Sequence, residues 1–422
     1  MRISTIQAFN NGVAGIQRNY ANATRTQEQI STGNRILTPA DDPVASVRLL
    51  QLEQQQNVLT QYKDNLTAAN NSLTQEEVTL NSVNTVLQRV RELAVQAGNG
   101  ALSTADLQSI GAELGERENE LFGLMNTRNA RGEYLFAGFQ GKTQPFVREG
   151  DGSYSYKGDE GQRKLQVASS LEVPISDNGK KIFQNVTNAG RLEANPPAPP
   201  YTAPVGSTLS VSAPLVQDEV AFSGAPPFPP AGIGIRFISD SDYVVYDQAS
   251  PPTFPVTLPD ALVLQSGSVD DQSDTSGQLV FRGVSVQFDG LPVGGESILI
   301  TADPTRQKQG ILDTIANLRT SLENPATGSQ VNDAVAVALT NLDHGMTTVD
   351  SVRGEIGARL NIIESSQTDN EDVALVNKSV QAELRELDYA EALSRLSFQT
   401  IVLEASQQSY VKIAGLSLFN KI

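Results

Sequence analysis

Few residues in this chain have the chemistry for catalysis. His344 is the only histidine among 422 residues, and cysteine is absent, which excludes thiol nucleophiles, thiolate metal ligands and disulfides. A Ser–His–Asp triad would depend on His344 alone, within a stretch of helical pattern. Sequence patterns for a zinc protease, a dinucleotide-binding turn or a phosphate loop are missing. The residues therefore predict no enzyme, no catalytic residue and no cofactor.

Two groups of carboxylates are candidates for a metal or catalytic site. Asp270 and Asp271 with Asp274 suggest a calcium loop, but the glycine and the terminal glutamate of such a loop are missing, so a solvated acidic loop is favoured. Asp41 and Asp42 suggest a general acid/base pair. Because proline follows them, a helix start is the simpler explanation, and we predict no metal site.

The distribution of proline separates two kinds of sequence. Sixteen of the 21 prolines lie between residues 151 and 300, whereas residues 44–144 and the chain after Pro325 have none. Proline interrupts the interior of a helix, so the two ends can form long helices and the middle cannot. The pattern predicts a mainly α fold with an inserted β-rich domain. Both chain termini would form a long antiparallel helical bundle or coiled coil, which is typical of an assembly protein.

The strongest periodicity predicts one helix from Pro43 to Ala97, about 80 Å long at ~1.5 Å per residue. Asn99-Gly100 then predicts a turn, and Ser103 with Asp106 predicts the cap of a second, antiparallel helix. The apolar seam alternates spacings of three and four, with one polar member, Glu76. Its members are Leu59, Tyr62, Leu66, Ala69, Leu73, Glu76, Leu80, Val83, Leu87, Val90, Ala94 and Ala97.

The C-terminal third repeats this helical pattern. Asp303-Pro304 predicts a helix start, Pro325 to Gly328 a break, and the polar stretch Ser365 to Asp372 a possible hinge. Heptad-like apolar spacing otherwise continues to the C-terminus.

The two ends themselves are predicted to pack against partner helices. The first 35 residues are rich in Asn, Gln, Ser and Thr, so their helix would be marginal alone. Near the C-terminus an apolar face of similar length is available. The predicted subunit-packing residues are Ile3, Ile6, Phe9, Val13, Ile16, Tyr20, Ile30, Leu393, Leu396, Ile401, Leu403, Ile413, Leu416, Leu418 and Phe419.

The middle of the chain has short β-type runs separated by turn formers. They include Tyr154–Tyr156, Leu165–Val167, Ile235–Phe237, Tyr243–Tyr246, Val284–Phe288 and Ser297–Ile300. We predict three domains: 1–41 with 378–422 as an inner terminal coiled coil, 42–146 with 300–377 as a helical bundle, and 147–299 as a β-rich, proline-rich outer domain.

Charge and hydropathy exclude two classes of partner. The net charge of −17 argues against nucleic acid, whose phosphates need a basic surface. No stretch approaches the roughly 18 apolar residues of a membrane span, so membrane insertion is not expected. The N-terminus has no apolar run of signal-peptide length.

One segment, residues 29–43 (QISTGNRILTPADDP), resembles a signature of the bacterial flagellin family. Its matching residues are Ser31, Gly33, Arg35, Ile36, Asp41, Asp42 and Pro43. The endings LSRLS at 393–397 and SLFNKI at 417–422 are similar to that family too. A second motif resembles the hook–filament junction proteins of the family more than its filament subunits. Its residues are Tyr134, Phe136, Gly138, Pro145 and Phe146.

The resemblance implies a structural component of the bacterial flagellum, outside the cell, at the junction between hook and filament. It implies export unfolded through the type III channel and assembly into a ring of identical subunits by packing of terminal helices. The implied partners are the first hook-associated junction protein, flagellin, and an export chaperone on the C-terminal helix. Two alternatives stay open: a flagellin of the bulk filament, or a secreted adhesin or hydrolase carried on a helical scaffold.

Overall fold

The computed structural model describes residues 5–197, 201–269, 277–325 and 328–419. Its description of side chains begins at residue 7, omits residue 8 and ends at residue 412. The described helices are α1 (Thr5–Thr32), α2 (Pro43–Ala97), α3 (Thr104–Met125), α4 (Glu219–Ser223), α5 (Ile311–Glu323), α6 (Gly328–Arg385) and α7 (Tyr389–Phe419), with a short π-helix at Lys180–Gln184. The predicted fold class, mainly α with an inserted β-rich region, is confirmed.

The strands fall in the middle of the chain, as predicted. They are β1 (Phe146–Arg148), β2 (Tyr154–Tyr156), β3 (Lys164–Ala168), β4 (Leu171–Pro174), β5 (Val186–Thr187), β6 (Leu192–Asn195), β7 (Ser210–Val211), β8 (Leu215–Val216), β9 (Ile233–Phe237), β10 (Asp242–Asp247), β11 (Val263–Ser268), β12 (Gly277–Phe281), β13 (Val284–Asp289), β14 (Ser297–Ala302) and β15 (Lys308–Gln309). Each of the six predicted runs lies within one of these strands.

The chain forms two compact units, which are described separately. The terminal unit comprises Met1–Thr67, Val167–Ser169 and Glu364–Ile422, and the central unit comprises Ala68–Gln166 and Ser170–Ile363.

Helix α2 begins and ends at the predicted residues. The Asp42 carboxylate accepts a hydrogen bond from the Ala45 N–H (2.9 Å), which caps the first turn, and Pro43 occupies the first helical position. The seam residues Leu73, Leu80 and Leu87 are fully buried. Burial of this seam, rather than helix propensity, is what stabilises so long a helix.

The turn after α2 also follows the sequence. Ser103 and Asp106 form the predicted reciprocal cap, in which the Ser103 hydroxyl accepts from the Asp106 N–H and the Asp106 carboxylate accepts from the Ser103 N–H. Helix α3 then packs against α5 through buried leucines on both helices. The Cβ of any larger residue at Gly111 would lie 3.3 Å from Glu323 Cγ, so this glycine lets the two helices approach.

Two predictions about the C-terminal third are wrong. Asp303-Pro304 does not start a helix, because the Asp303 carboxylate accepts from the Thr305 N–H (2.8 Å) and closes a turn. Strand β15 follows, and α5 begins only after Gly310. The polar stretch Ser365 to Asp372 is not a hinge either, since α6 runs through it without a break. A helix that packs on one face tolerates polar residues on the others.

The inserted β region is a sandwich. Strands β11-β10-β9-β14-β6 form one antiparallel sheet, and β12-β13-β7, with β8 also paired to β13, form another. Their inner faces enclose one hydrophobic core, in which the rings of Phe237 on β9 and Phe288 on β13 meet edge to face, 5.6 Å apart.

A buried ionic network interrupts the apolar seam of the central unit. Glu76, the polar member of the predicted seam, is 2% exposed and accepts a hydrogen bond from the Asp177 N–H (3.1 Å). Asp177 is fully buried and pairs with both terminal nitrogens of Arg359, at 2.8 and 3.2 Å. Burial raises the pKa of the Glu76 carboxyl well above its ordinary value of 4.5, and the neighbouring Asp177 carboxylate raises it further.

The raised pKa predicts how stability depends on pH. Between pH 4.5 and the folded pKa of Glu76, the native state holds a proton that the unfolded chain has released, so stability falls as pH rises through this window. Glu76→Gln stays neutral and can still accept the Asp177 N–H. We expect the variant to lose less stability than wild type across the window, by up to about 1.4 kcal/mol per pH unit.

Urea unfolding of both proteins at a series of pH values measures this difference. Glu116→Gln, on the exposed surface of α3, is the matched control and should follow wild type. A constant offset between Glu76→Gln and wild type at every pH would contradict the assignment of a raised pKa to Glu76.

Candidate assembly interface

The first and last helices of the chain pair with each other. The rings of Phe9 on α1 and Tyr410 on α7 are 5.2 Å apart. Further along, Asn19 Nδ2 donates to Ser406 Oγ (3.0 Å), and the Arg395 guanidinium donates to Gln29 Oε1 (3.1 Å). Rising numbers on α1 meet falling numbers on α7, so the pair is antiparallel.

The segments that follow α1 and precede α7 hold this pair together through the main chain. The Arg35 N–H donates to the Arg385 carbonyl (2.8 Å), and the Leu387 N–H donates to the Gly33 carbonyl (3.0 Å). Gly33 has φ +70, and a Cβ there would lie 2.9 Å from the Tyr389 hydroxyl. Only glycine adopts this positive φ and allows the close approach of Tyr389 without strain, which explains the glycine in the 29–43 signature.

The adjacent carboxylates of the signature have different tasks. Asp42 caps α2, as described above, and its carboxylate lies 3.8 Å from the Arg35 guanidinium. Asp41 is nearly buried; its carboxylate accepts from the Leu37 N–H (2.9 Å) and the Thr38 N–H (3.0 Å) and pairs with Arg25. One aspartate therefore starts a helix, and the other folds the loop before it.

The predicted packing residues divide by exposure. Val13, Ile16, Ile30, Leu396 and Leu403 are half-buried, whereas Phe9, Tyr20, Leu393 and Ile401 are exposed. Ile3 lies outside the described residues, and so do the side chains of Ile6, Ile413, Leu416, Leu418 and Phe419.

The residues buried within the pair are small ones. Ala392 is fully buried, and Ala23 and Thr26 are nearly so. None of these is among the predicted packing residues. Small residues at helical spacing signal a close helix approach, but large apolar residues dominated the predicted set. Because small side chains fill the contact, the large ones are left at its margins or outside it.

A second exposed apolar surface lies on α2 and α6. In the same unit, α2 exposes Val44, Val47, Leu50 and Val58, and α6 exposes Val373, Leu375 and Val376. Contacts between these two helices include polar ones: Asn377 Nδ2 donates to the Leu52 carbonyl (3.0 Å) and Asn370 Nδ2 to the Leu59 carbonyl (2.9 Å). Asn377 is buried and Asn370 half-buried, and asparagines at heptad spacing between two helices fix their register, although they stabilise the pair less than leucines would.

The second motif has a structural role in the central unit. Phe136 and Phe146 both pack against Phe183, with ring centroids 5.1 and 5.8 Å away. The Phe146 N–H donates to Asn126 Oδ1 (3.1 Å), which ties the motif to the end of α3. Tyr134 receives a cation–π contact from Arg128, 4.4 Å from its ring centroid.

Gly138 and Pro145 shape the turns of this motif. Gly138 has φ +69, and a Cβ there would meet the Asp159 carbonyl oxygen at 2.5 Å. The Pro145 carbonyl accepts from the Lys157 N–H (2.7 Å), beside the β1–β2 hairpin. The motif thus closes a small aromatic core rather than presenting an open surface.

The described residues offer little chemistry. His344 Nδ1 lies 2.9 Å from the Thr187 carbonyl, and its ring is 4.0 Å from Glu219, with no nucleophilic side chain among its described contacts. Within the described ranges, no cluster of three His, Cys, Asp or Glu residues could hold a metal, and no helix is long and apolar enough to cross a membrane. Asp270, Asp271 and Asp274 lie outside these ranges.

Comparison with known proteins shows what the chain is similar to. The model of the bacterial flagellin N-terminal helical region matches residues 3–141. Flagellar hook-associated protein 3 of Escherichia coli is 35% identical over 188 residues, which are 44% of this chain and 58% of that protein. The protein of the same name in Salmonella typhimurium gives the same values. The N-terminal third of this chain is therefore similar to the flagellin family.

A solved structure extends the likeness beyond these segments. A flagellar hook-associated protein 3 from Legionella pneumophila is similar with a TM-score of 0.61 and 28% identity, covering 79% of this chain and 98% of that one. The curated relatives are matched over only 58% of their length. The region matched by the flagellin N-terminal model includes the first motif and Tyr134, Phe136 and Gly138 of the second, and the resemblance noted in the sequence is confirmed.

The separate roles of Asp41 and Asp42 can be tested with single substitutions. Asp42→Ala removes the cap of α2 and should cost about 0.5–2 kcal/mol at that helix start. We expect faster amide hydrogen exchange over the first turn of α2. Asp41→Ala should instead speed exchange over residues 37–41, where its hydrogen bonds are lost.

Hydrogen exchange followed by mass spectrometry on the full chain distinguishes the two patterns. Asp64→Ala, an exposed aspartate within α2, serves as the control and should change neither region. If Asp41→Ala and Asp42→Ala loosen the same segment, their roles are not separate.

Proposed function

We propose that this chain is a structural, non-enzymatic subunit of the bacterial flagellum that forms the junction ring between hook and filament. The observation that carries the proposal is the antiparallel pairing of α1 with α7, whose large apolar side chains are left uncovered. Phe398 is 67% exposed and Ile401 64% exposed, three residues apart on α7. Burial of each such side chain contributes roughly 1.5–3 kcal/mol, so a second copy gains by covering them.

The remaining parts of the proposal follow from the family. Terminal helices of identical subunits would pack into a ring, with the first hook-associated junction protein on one side and flagellin on the other. The chain would be exported unfolded by the type III route, and a chaperone would cover the C-terminal helix before export. Within this scheme, residues 1–41 with 378–422 form the inner domain, 42–146 with 300–377 the bundle, and 147–299 the outer domain.

Two findings favour a junction protein over a flagellin. The Legionella pneumophila protein that is similar over 98% of its length is a hook-associated protein, and so are the curated relatives at 35% identity over 188 residues. The flagellar filament core protein of Borreliella burgdorferi is matched over a shorter segment, 112 residues. A secreted adhesin remains the third candidate, and no specific contact of the β sandwich supports it.

The first test is genetic. A strain without this gene should build hooks and shed flagellin monomers into the medium, as seen by electron microscopy of cells and by blotting of the supernatant. If this chain is a filament subunit, the mutant should instead lack flagellin in both fractions. Normal filaments on the mutant would end the proposal.

The second test addresses the exposed face of α7. Phe398→Asp with Ile401→Asp should leave the monomer folded and abolish ring formation at hook tips, because charge cannot be buried at the subunit contact. Val220→Asp, on the exposed surface of α4 in the β region, is the matched control and should assemble normally. Assembly is measured by adding purified protein to isolated hooks, followed by electron microscopy.

The third test removes whole segments. Chains that lack residues 1–35 or 385–422 should keep a folded core, seen by circular dichroism, and fail to cap hooks. A truncated chain that still caps hooks and nucleates filament growth would show that these segments are not needed for assembly.

A further inference from the structure

The chain contains three Asn–Gly pairs, at Asn11-Gly12, Asn99-Gly100 and Asn178-Gly179. In such a pair the main-chain nitrogen of glycine can attack Cγ of the asparagine side chain. Ammonia leaves, a cyclic succinimide forms, and water opens the ring to aspartate or isoaspartate. One water is consumed and one ammonia released, with no oxidant, reductant or enzyme. Glycine favours the attack because it has no side chain to obstruct it.

We propose that Asn99 is a site of spontaneous deamidation and that the fold protects the other two pairs. Asn99 and Gly100 are exposed in the turn between α2 and α3. Within the described residues, the Gly100 N–H has no hydrogen-bond acceptor, so the attacking nitrogen is free. A Cβ at Gly100 would meet nothing within 4 Å, so the turn has room to form the ring.

A local hydrogen bond also positions and activates the side-chain carbonyl that is attacked. The Ala101 N–H donates to Asn99 Oδ1 (3.2 Å), which holds the carboxamide over the turn. The same bond withdraws electron density from Cγ, and it would stabilise the negative charge that gathers on Oδ1 during the attack. The turn therefore holds an exposed nucleophile and an activated carbonyl next to each other.

Asn178 shows how the fold blocks the same chemistry. The Gly179 N–H is committed to the Phe136 carbonyl (2.9 Å), so it cannot attack. The Asn178 side chain is nearly buried; its Nδ2 donates to the Glu160 carbonyl (3.2 Å) and its Oδ1 accepts from the Lys181 N–H (2.9 Å). Both reacting groups are thus held in other hydrogen bonds.

Asn11 is protected in a different way. Gly12 lies within α1, where its N–H belongs to the helical ladder and helical φ and ψ keep the side chain of the preceding residue away from it. A Cβ at Gly12 would also lie 3.1 Å from the Tyr410 ring, so there is little room for a ring closure that distorts the helix.

The product would differ from Asn99 in charge and in main-chain length. Aspartate or isoaspartate adds a negative charge just beyond the C-terminus of α2, where the helix dipole disfavours it. Isoaspartate also inserts a methylene into the main chain of the short turn that joins α2 to α3. The inference does not depend on the proposed function, because it concerns a turn of the central unit.

Peptide mapping of the intact, folded chain tests the proposal. Trypsin releases residues 92–117, whose one asparagine is Asn99, and residues 165–180, whose one asparagine is Asn178. After incubation of native protein at mildly alkaline pH, peptide 92–117 should be converted several-fold faster than peptide 165–180, as two chromatographically separate products. Fragmentation in the mass spectrometer assigns the change to Asn99 rather than to a glutamine.

Two controls separate the role of the fold from that of sequence. In urea, the two peptides should convert at similar rates, because protection of Asn178 is lost. Gly100→Ala, which the open space accommodates, should keep the circular dichroism of wild type and slow conversion of Asn99 several-fold. Equal rates for Asn99 and Asn178 in the native protein, or no slowing in Gly100→Ala, would overturn the proposal.

Discussion

The pairing of the two chain ends is the constraint on which the rest of the terminal unit depends. Asn19 and Ser406 are joined by a hydrogen bond across 387 positions of sequence. Each end helix is rich in polar residues or leaves its apolar side chains exposed, so neither would be stable alone. The main-chain bonds between Gly33–Arg35 and Arg385–Leu387 fix where the pairing starts. The signature residues therefore act by shaping the backbone. The glycine makes the turn, and the two aspartates accept hydrogen bonds from backbone N–H groups.

The two units are stabilised in different ways. In the central unit, Leu73, Leu80 and Leu87 are fully buried, and Asp177 pairs with Arg359 inside the protein. Removing one member of such a network would leave a buried charge unpaired, which makes the arrangement specific. In the terminal unit, small residues are buried in the α1–α7 pair and asparagine amides join α2 to α6, while many large apolar side chains are exposed. The first arrangement suits a permanent framework, and the second suits a surface that is completed by another molecule.

The two sequence motifs have structural roles in the described residues. The chemistry that the two motifs perform is hydrogen bonding to main-chain groups, close packing around glycine and aromatic contact. Such positions are as demanding as catalytic ones because a single Cβ or a lost acceptor changes the path of the chain. The β sandwich, by contrast, has its own hydrophobic core.

Sequence alone determined α2 and the start of α3, because heptad spacing, proline placement and capping residues act over a few residues. It fixed both ends of α2 and the cap at Ser103, and it placed the six β runs within strands. Long-range contacts decided the rest. Asp303-Pro304 has the pattern of a helix start, but the Asp303 carboxylate closes a turn. The neighbouring residues do not distinguish a helix start from such a turn. The polar stretch 365–372 has the composition of a hinge, but α6 continues through it. Polar residues can face solvent along an unbroken helix. The roles of Gly33 and Glu76 required the tertiary structure, because Tyr389 and Asp177 are brought to them by folding and not by sequence spacing.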